Sequence, residues 1–421
     1  MGFYVKTRLS KAFVRIARTL VGLGEVAAAA LAARFAARLS GDNTEAYVIQ
    51  SAIARASGDH ATARKIIDHD IRVHPFIILP CKGQAVGTLL KVRGIDQGFF
   101  TLGKDGDGDL LVKIRGGNTS DKYLTDRSKF SIVNFHVRGG NLCEVQNLPA
   151  FDLILNMISD PDVERSSLNT LAEFLRTHDG CPVINHPERV IETTRDGNYP
   201  RFRDLDGVVF PTTLRLPADG IKPAIATARI EFPCLIRATG THTGRSVAKL
   251  ETSDDLETYL GQSKAPELYL TAYVENRFHG DLFRKLRVFQ IDGEIFPVVC
   301  HIDAHWNVHG GNRRQVMGAT PWMVEEEQAF IADPEGYLGE RPYRVVRDIL
   351  GRTGLDFCGI DFTVLDDGNV LVFEINPAMR HSFDHARNFP YLAESLNAIT
   401  AAFNEMMVRR IAATDAASRP T

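Results

Sequence analysis

The 421-residue chain contains no cysteine pair at the two-residue spacing of a zinc or redox motif. Its six cysteines, Cys81, Cys143, Cys181, Cys234, Cys300 and Cys358, are scattered. That excludes a secreted disulfide framework and suits a reducing cytosol, so a cytoplasmic protein is expected. No apolar run reaches the length of a membrane span. Neither sign of charge dominates: 49 basic and 52 acidic residues give a formal net charge of −3, without the basic footprint of a nucleic-acid binder. What remains, 44% hydrophobic and 24% charged, is ordinary globular composition, and the length allows two or three domains.

Lys6, Arg8, Lys11, Arg15 and Arg18 all precede the first acid, Glu25, a distribution with some likeness to a targeting segment or membrane-surface helix. The arginines interrupt any signal-peptide core, and Lys6 stands where myristoylation needs Ser or Thr. A basic helix packed on its neighbour is expected. Gly22-Leu23-Gly24 with Ala27 fits a dinucleotide-binding expression, but no strand feeds that turn. From Glu25 to His69 the pattern is helical: one helix to Leu39, a second from Thr44 to Ser57 and a third after Gly58-Asp59. The segment AYVIQSAIARASGDHATARKIID resembles the second half of a tetratricopeptide repeat. It reads either as a docking surface for a peptide or protein partner, or as a helical cap.

After His74-Pro75 the texture changes. Phe76–Leu79 reads as a buried strand; Leu110–Ile114, Ser131–Val137, Asp152–Met157 and Pro182–Asn185 read as further strands, with a helix at Ser166–Arg176. Together they predict an open α/β layer. VKIRGGN (Val112–Asn118) and FHVRGGN (Phe135–Asn141) rhyme, each a strand ending in a glycine turn. The acidic string Asp105–Asp109 lacks the glycine and the bidentate glutamate of a calcium loop.

The most informative stretch is GIDFTVLDDGNVLVFEINP, Gly359–Pro377. Ile360, Phe362 and Val364 alternate with polar residues, Asp367-Gly368 marks a turn, and Leu371, Phe373 and Ile375 resume the alternation. A two-residue loop at Asp367-Gly368, or the four-residue loop around it, pairs positions whose numbers add to 735. Asp361 then faces Glu374, with Cβ atoms about 5 Å apart, where like charges destabilise a sheet. Asn376 shares the face of Glu374, and the six apolar residues are expected on the other. Two carboxylates and an amide oxygen so placed suit a hard cation, magnesium above all.

This hairpin resembles the metal-binding end of the ATP-grasp superfamily, at Asp361, Glu374 and Asn376. The resemblance implies ATP with magnesium, manganese being the natural substitute, and a ligase joining a carboxylate to an amine. The implied architecture is α/β (α+β): a helical segment at 1–74, an open α/β domain at 75–185, two ATP-grasp lobes at 186–412 and a tail at 413–421. Three further pieces are similar to the superfamily. INHPERVIETTRD, ahead of Val208–Thr212, offers Arg195 as a nucleotide-contacting cation. FPCLIRATGTHTGRSVAKL supplies Arg237, where the family usually has lysine, and a polar loop with Gly240, Thr241, His242 and Gly244 for phosphate. The run Leu268–Val274, ending at Tyr273 and Val274, resembles the strand that contacts adenine, and Lys285 and Arg287 begin a phosphate-facing strand.

His301, His305 and His309 recur every four residues, but the strand-like IFPVVC before them and Gly310-Gly311 after them disfavour a helical zinc stripe. Asn307, Arg313 and Arg314 are expected to bind a substrate carboxylate or stabilise developing charge. The branch implied is that of glutathione synthase and ribosomal-protein glutamate ligases, with small-molecule or peptide substrates. A kinase on the same scaffold, or a non-catalytic nucleotide-binding scaffold, are the alternatives.

Overall fold

The computed structural model describes residues 2–104, 110–140, 148–178, 180–241, 244, 246–311, 313–377 and 379–417. The chain divides into two compact units, one spanning residues up to 188 and again from 407, the other Arg189–Met406.

The first unit opens with helices α1 (Gly2–Gly22), α2 (Val26–Leu39), α3 (Thr44–Ala56) and α4 (His60–Ile66), the last running into a π turn at Ile67–Ile71. Ala29, Ala33 and Ala36 recur on one face of α2, and these small side chains meet Val14, Ala17 and Val21 of α1 in one core. Asp59 starts α4 by accepting from the Thr62 amide at 2.9 Å. A hairpin of β3 (Phe99–Lys104) and β4 (Leu110–Arg115) packs Leu102, Leu110 and Val112 on that core, while Phe100 joins Val48, Ala52, Ile67 and Ile71.

The sheet of this unit comprises β1 (Phe76–Leu79), β2 (Gly87–Gly94), β5 (Phe130–Val137), β6 (Leu153–Asn156) and β7 (Val183–Ile184), in the order β1-β5-β2-β6-β7. All neighbours are parallel except β1 with β5. Three expectations change. The stretch Phe76–Leu79 is an edge strand rather than a buried one, and Ile78 is exposed. The Leu110–Ile114 stretch lies in the separate hairpin, outside the layer. Strand β2, missing from the sequence reading, runs through the middle of the sheet.

Charge conceals β2: Lys91 is only 6% exposed and donates to Asp121 at 2.9 Å, and Arg93 donates to the same carboxylate at 2.7 Å. Burial works to raise the Asp121 carboxyl, but Lys91 and Arg93 outweigh it and hold it well below the usual range. In the first glycine turn, Asn118 accepts from the Gly94 amide and donates to the Gly94 and Gly116 carbonyls, so the motif clasps two strand ends. Asn141 of the second, Cys143 and the acidic string Asp105–Asp109 lie outside the described residues.

The second unit carries two sheets. One is antiparallel, built from β9 (Thr213–Pro217), β10 (Cys234–Ala238), β11 (Ala248–Leu250) and β12 (Glu267–Ala272) in the order β11-β10-β12-β9. Helices Ile221–Ala226 and Ser253–Gln262 cover it through Ile221, Ala224 and Leu256, against Ile236, Leu268 and Leu270. The other sheet contains β8 (Val208–Val209), β13 (Arg277–Phe278), β14 (Leu282–Ile291), β15 (Glu294–Asp303), β16 (Phe357–Val364) and β17 (Val370–Asn376). Its order is β13-β14-β16-β17-β8, with β15 on the free side of β14.

The β16–β17 hairpin reaches the expected opposition of Asp361 and Glu374 by a different route. Leu365 closes against Asn369, leaving a three-residue loop, Asp366-Asp367-Gly368, with Gly368 at φ +79°. Near the loop, partners are Val364 with Val370, Thr363 with Leu371 and Phe362 with Val372. An extra residue, Phe373, bulges from β17 before Asp361 meets Glu374 and Gly359 meets Asn376. The bulge also breaks the expected single apolar face: Val370, Leu371 and Val372 are all buried, and Phe373 only partly so.

Candidate active site

Strand register assembles a row of charged and polar side chains on one face of the six-stranded sheet. Asp361 pairs with Glu374 on one side and with Arg287 on the other. Lys285 is two residues before Arg287 and pairs with His301 of β15. Asn376, two beyond Glu374, returns to the same face. From β17 across β16 and β14 to β15 the row therefore reads Glu374 and Asn376, Asp361, Arg287 and Lys285, His301.

The acids hold guanidinium groups. Arg287 forks onto Asp361 with bonds of 2.6 and 2.8 Å, and the Lys285 ammonium is 3.6 Å away. Burial alone would raise the Asp361 carboxyl, but Arg287, then Lys285, hold it below the ordinary carboxylate range. Arg195, opening the helix Arg195–Phe202 behind the Thr194 cap, reaches Glu374 at 2.7 Å. The Asn376 amide is 3.4 Å from the same carboxylate.

Arg237, at the end of β10, lies within electrostatic reach of Arg195 and Glu374. Burial, then the nearby Arg195, lower it to about 10. Its guanidinium bonds the Thr241 carbonyl, folding the start of the polar loop over the strand end. Gly240 and Gly244 both take positive φ, and the Gly244 carbonyl accepts from the Asn307 amide at 3.1 Å. His242 lies outside the described residues. Tyr273 and Val274 follow β12: Lys249 sits 4.0 Å over the Tyr273 ring, and Asn276 donates to the Val274 carbonyl at 2.8 Å.

The two arginines near the glycine pair separate. Arg314 is exposed, whereas Arg313 is 3% exposed and paired with the fully buried Glu327. Glu327 also accepts from the Cys300 amide at 2.8 Å and the Tyr391 hydroxyl at 2.5 Å. The histidines do not form a helical stripe, since His301 lies within β15 and His305 and His309 in the irregular segment after it. The ring of His301 instead meets His385 edge to face at 5.7 Å.

Sequence reasoning did not single out Glu327 or His385. Only the cluster Arg380, His381, His385 and Arg387, directly after the EINP motif, signals that this loop carries polar chemistry. Asp361, Glu374 and Asn376 offer oxygen donors of the hard class on paired strands, the donor chemistry that suits a magnesium ion. Among the described residues there is no group of three or more His, Cys, Asp and Glu side chains able to hold a metal. No helix among them is long and apolar enough to cross a membrane.

No family model matches the chain. Among curated proteins it is 23% identical over 271 residues to human N-acetylaspartylglutamate synthase A, covering 63% of each chain. It is 24% identical over 245 residues to human beta-citrylglutamate synthase B, covering 56% of this chain and 57% of that one. The chain thus spans about three fifths of the length of these relatives. Among solved structures, D-alanine–D-alanine ligase from Bacillus anthracis is 12% identical with a TM-score of 0.44, covering 75% of this chain and 98% of that one. A RimK domain ATP-grasp protein from Sphaerobacter thermophilus is 13% identical with a TM-score of 0.38, covering 65% and 90%. The second unit thus pairs an antiparallel sheet with a six-stranded sheet bearing opposed acids on β16 and β17, in a chain similar to the N-acetylaspartylglutamate and beta-citrylglutamate synthases.

Proposed function

We propose that the chain is an ATP- and magnesium-dependent carboxylate–amine ligase working through an acyl phosphate. The observation that carries this reading is the row Glu374–Asp361–Arg287–Lys285, in which strand pairing alone aligns two acids and two cations. Both curated relatives are named for products containing glutamate, which supports an acidic amino acid as the first amine to test.

In this reading Asp361, Glu374 and Asn376 would hold magnesium, which supplies charge neutralisation at the β- and γ-phosphates. Arg195, Arg237 and Lys285 face the phosphates, and Tyr273 and Val274 border the adenine. The backbone of Gly240, Thr241 and Gly244 lines the phosphate loop, and Arg287 balances charge as the phosphoryl group moves. The γ-phosphoryl passes to a substrate carboxylate, the amine attacks the resulting acyl group, and phosphate leaves. Water must be excluded for the acyl phosphate to survive.

The domain limits 75–185 and 186–412 belong to the same proposal, as does a cytoplasmic site, which suits the free thiols Cys81, Cys181, Cys234, Cys300 and Cys358. The α3–α4 pair is here a helical cap, because Val48 and Ala52 are already covered by the β3–β4 hairpin. Glu374→Gln tests the reading. It removes a carboxylate charge at nearly constant shape, so magnesium-dependent ADP release should fall to background while circular dichroism is unchanged. Turnover at the parental rate would sink the proposal.

A further inference from the structure

Beyond the nucleotide end of the charged row, the second unit keeps buried polar atoms with no protein partner. His301 is 8% exposed, and neither ring nitrogen has a hydrogen-bond partner among the described residues. Arg313 is 3% exposed; its guanidinium pairs with Glu327, meets Tyr391 and lies 4.1 Å over the Phe389 ring, while Nε and Nη1 have no hydrogen-bond partner among the described residues. A buried polar group left unmatched is costly, so several at one place point to a ligand.

Cations outnumber acids around them: His385 feels Arg313, Arg380 and Arg287 against the single acid Asp384. The groups acting on His301 are Arg313, Lys285, His385 and Arg287. The acids nearby are engaged elsewhere, Glu327 with Arg313 and Tyr391, Asp361 with Arg287 and Lys285, and Asp384 with Arg380. Gly310 makes the close approach possible: a Cβ there would lie 3.0 Å from His385 and 3.2 Å from His301.

We infer that His301, His385 and Arg313 form a receptor for a carboxylate that takes no part in the reaction, so that one substrate is an acidic amino acid or short dicarboxylate. His301 on β15 faces Lys285 and Asp361 on β16 faces Arg287, so two strand spacings of about 4.8 Å and a two-residue offset along β14 place them roughly 12 Å apart. A chain of glutamate length, with a hydrogen bond at each end, spans that distance. That a substrate fills this receptor rests on the ligase reading; the receptor itself does not need turnover.

The test uses the full chain with 15N-labelled histidine, recording imidazole signals during titration with L-glutamate, succinate, succinamide and inorganic phosphate. The His301 and His385 rings should respond to glutamate or succinate and stay still with succinamide. In calorimetry His301→Leu should weaken binding of the responding carboxylate at least tenfold, with Mg·ATP affinity within twofold of the parent. Rings silent to both carboxylates would overturn the inference, as would phosphate acting as strongly as they do, which would assign the nook to the nucleotide. Failure of the parent protein to bind Mg·ATP would sink the ligase reading and leave the ring titration readable.

Discussion

Arg313 and Glu327 show what single side chains contribute here. Both are essentially out of solvent, and the carboxylate also anchors the Cys300 amide and the Tyr391 hydroxyl. Arg313→Met would strand a buried acid, and breaking such a pair costs about 3–5 kcal/mol. Adding Glu327→Gln removes the orphaned charge while keeping an amide oxygen for the amide and hydroxyl donors. Urea titration should therefore show a large loss for the single variant and recovery of most of it in the double variant. A double variant as unstable as the single one would refute this account. Such a pair is invisible in sequence, because 14 positions separate it and a surface helix would hold the same letters. The Arg195–Glu374 bond is harder still, joining residues brought together only by the tertiary fold. Asp361, Glu374 and Asn376 were legible because one hairpin holds all three.

That hairpin shows how element-level reading succeeds and fails. Alternation and the Asp-Gly pair located both strands, and Asp361 does face Glu374. The Asp-Gly pair predicts a loop with an even number of residues, however, and the loop has three, which shifts the register by one. The bulge at Phe373 shifts it back. Nothing in Val370–Ile375 marks a bulge, since a nearly continuous apolar run gives no polar interruption to locate the extra residue. Strand β2 escaped for the opposite reason: Lys91 and Arg93 imitate a solvent-exposed segment, although Asp121 neutralises them inside. Gly368 offers a clean test of the loop. It has φ +79° and open space where a Cβ would stand, so Gly368→Ala should cost roughly 1 kcal/mol through backbone conformation alone. Chemical denaturation showing no loss would mean the loop is not of this type.

At the scale of the whole molecule, buried histidines set a pH dependence. His136 lies inside the first unit, donating Nδ1–H to the Pro75 carbonyl at 3.0 Å, and burial, then Arg93, bring it down to about 4. In the second unit burial lowers His381 and His385, also to about 4. An unfolded imidazole titrates near 6.5, so between about pH 6.5 and 4 the unfolded chain binds more protons. Stability is thus fully present above this window and lost as pH falls through it. For His136 alone the loss amounts to about 3 kcal/mol, at about 1.4 kcal/mol per unit. Denaturation midpoints should be flat from pH 8 to 7 and fall steadily toward pH 4.5; a flat profile down to pH 4.5 would contradict the neutral, buried state of these rings. The helix order and the hairpin could be read from local periodicity. The composition of the first-unit sheet could not, because it depends on which strands pair across long separations.

The pairing of Glu374 with Arg195 and of Asp361 with Arg287 has a consequence for how the proposed ion is admitted. Under the proposed function, a bare divalent cation would have to evict two guanidinium groups and leave each without a counter-charge. An ion arriving with a polyphosphate would offer each displaced arginine a new anion and keep local charge balanced. The two salt bridges would then act as a double partner exchange, coupling entry of the metal to entry of its nucleotide.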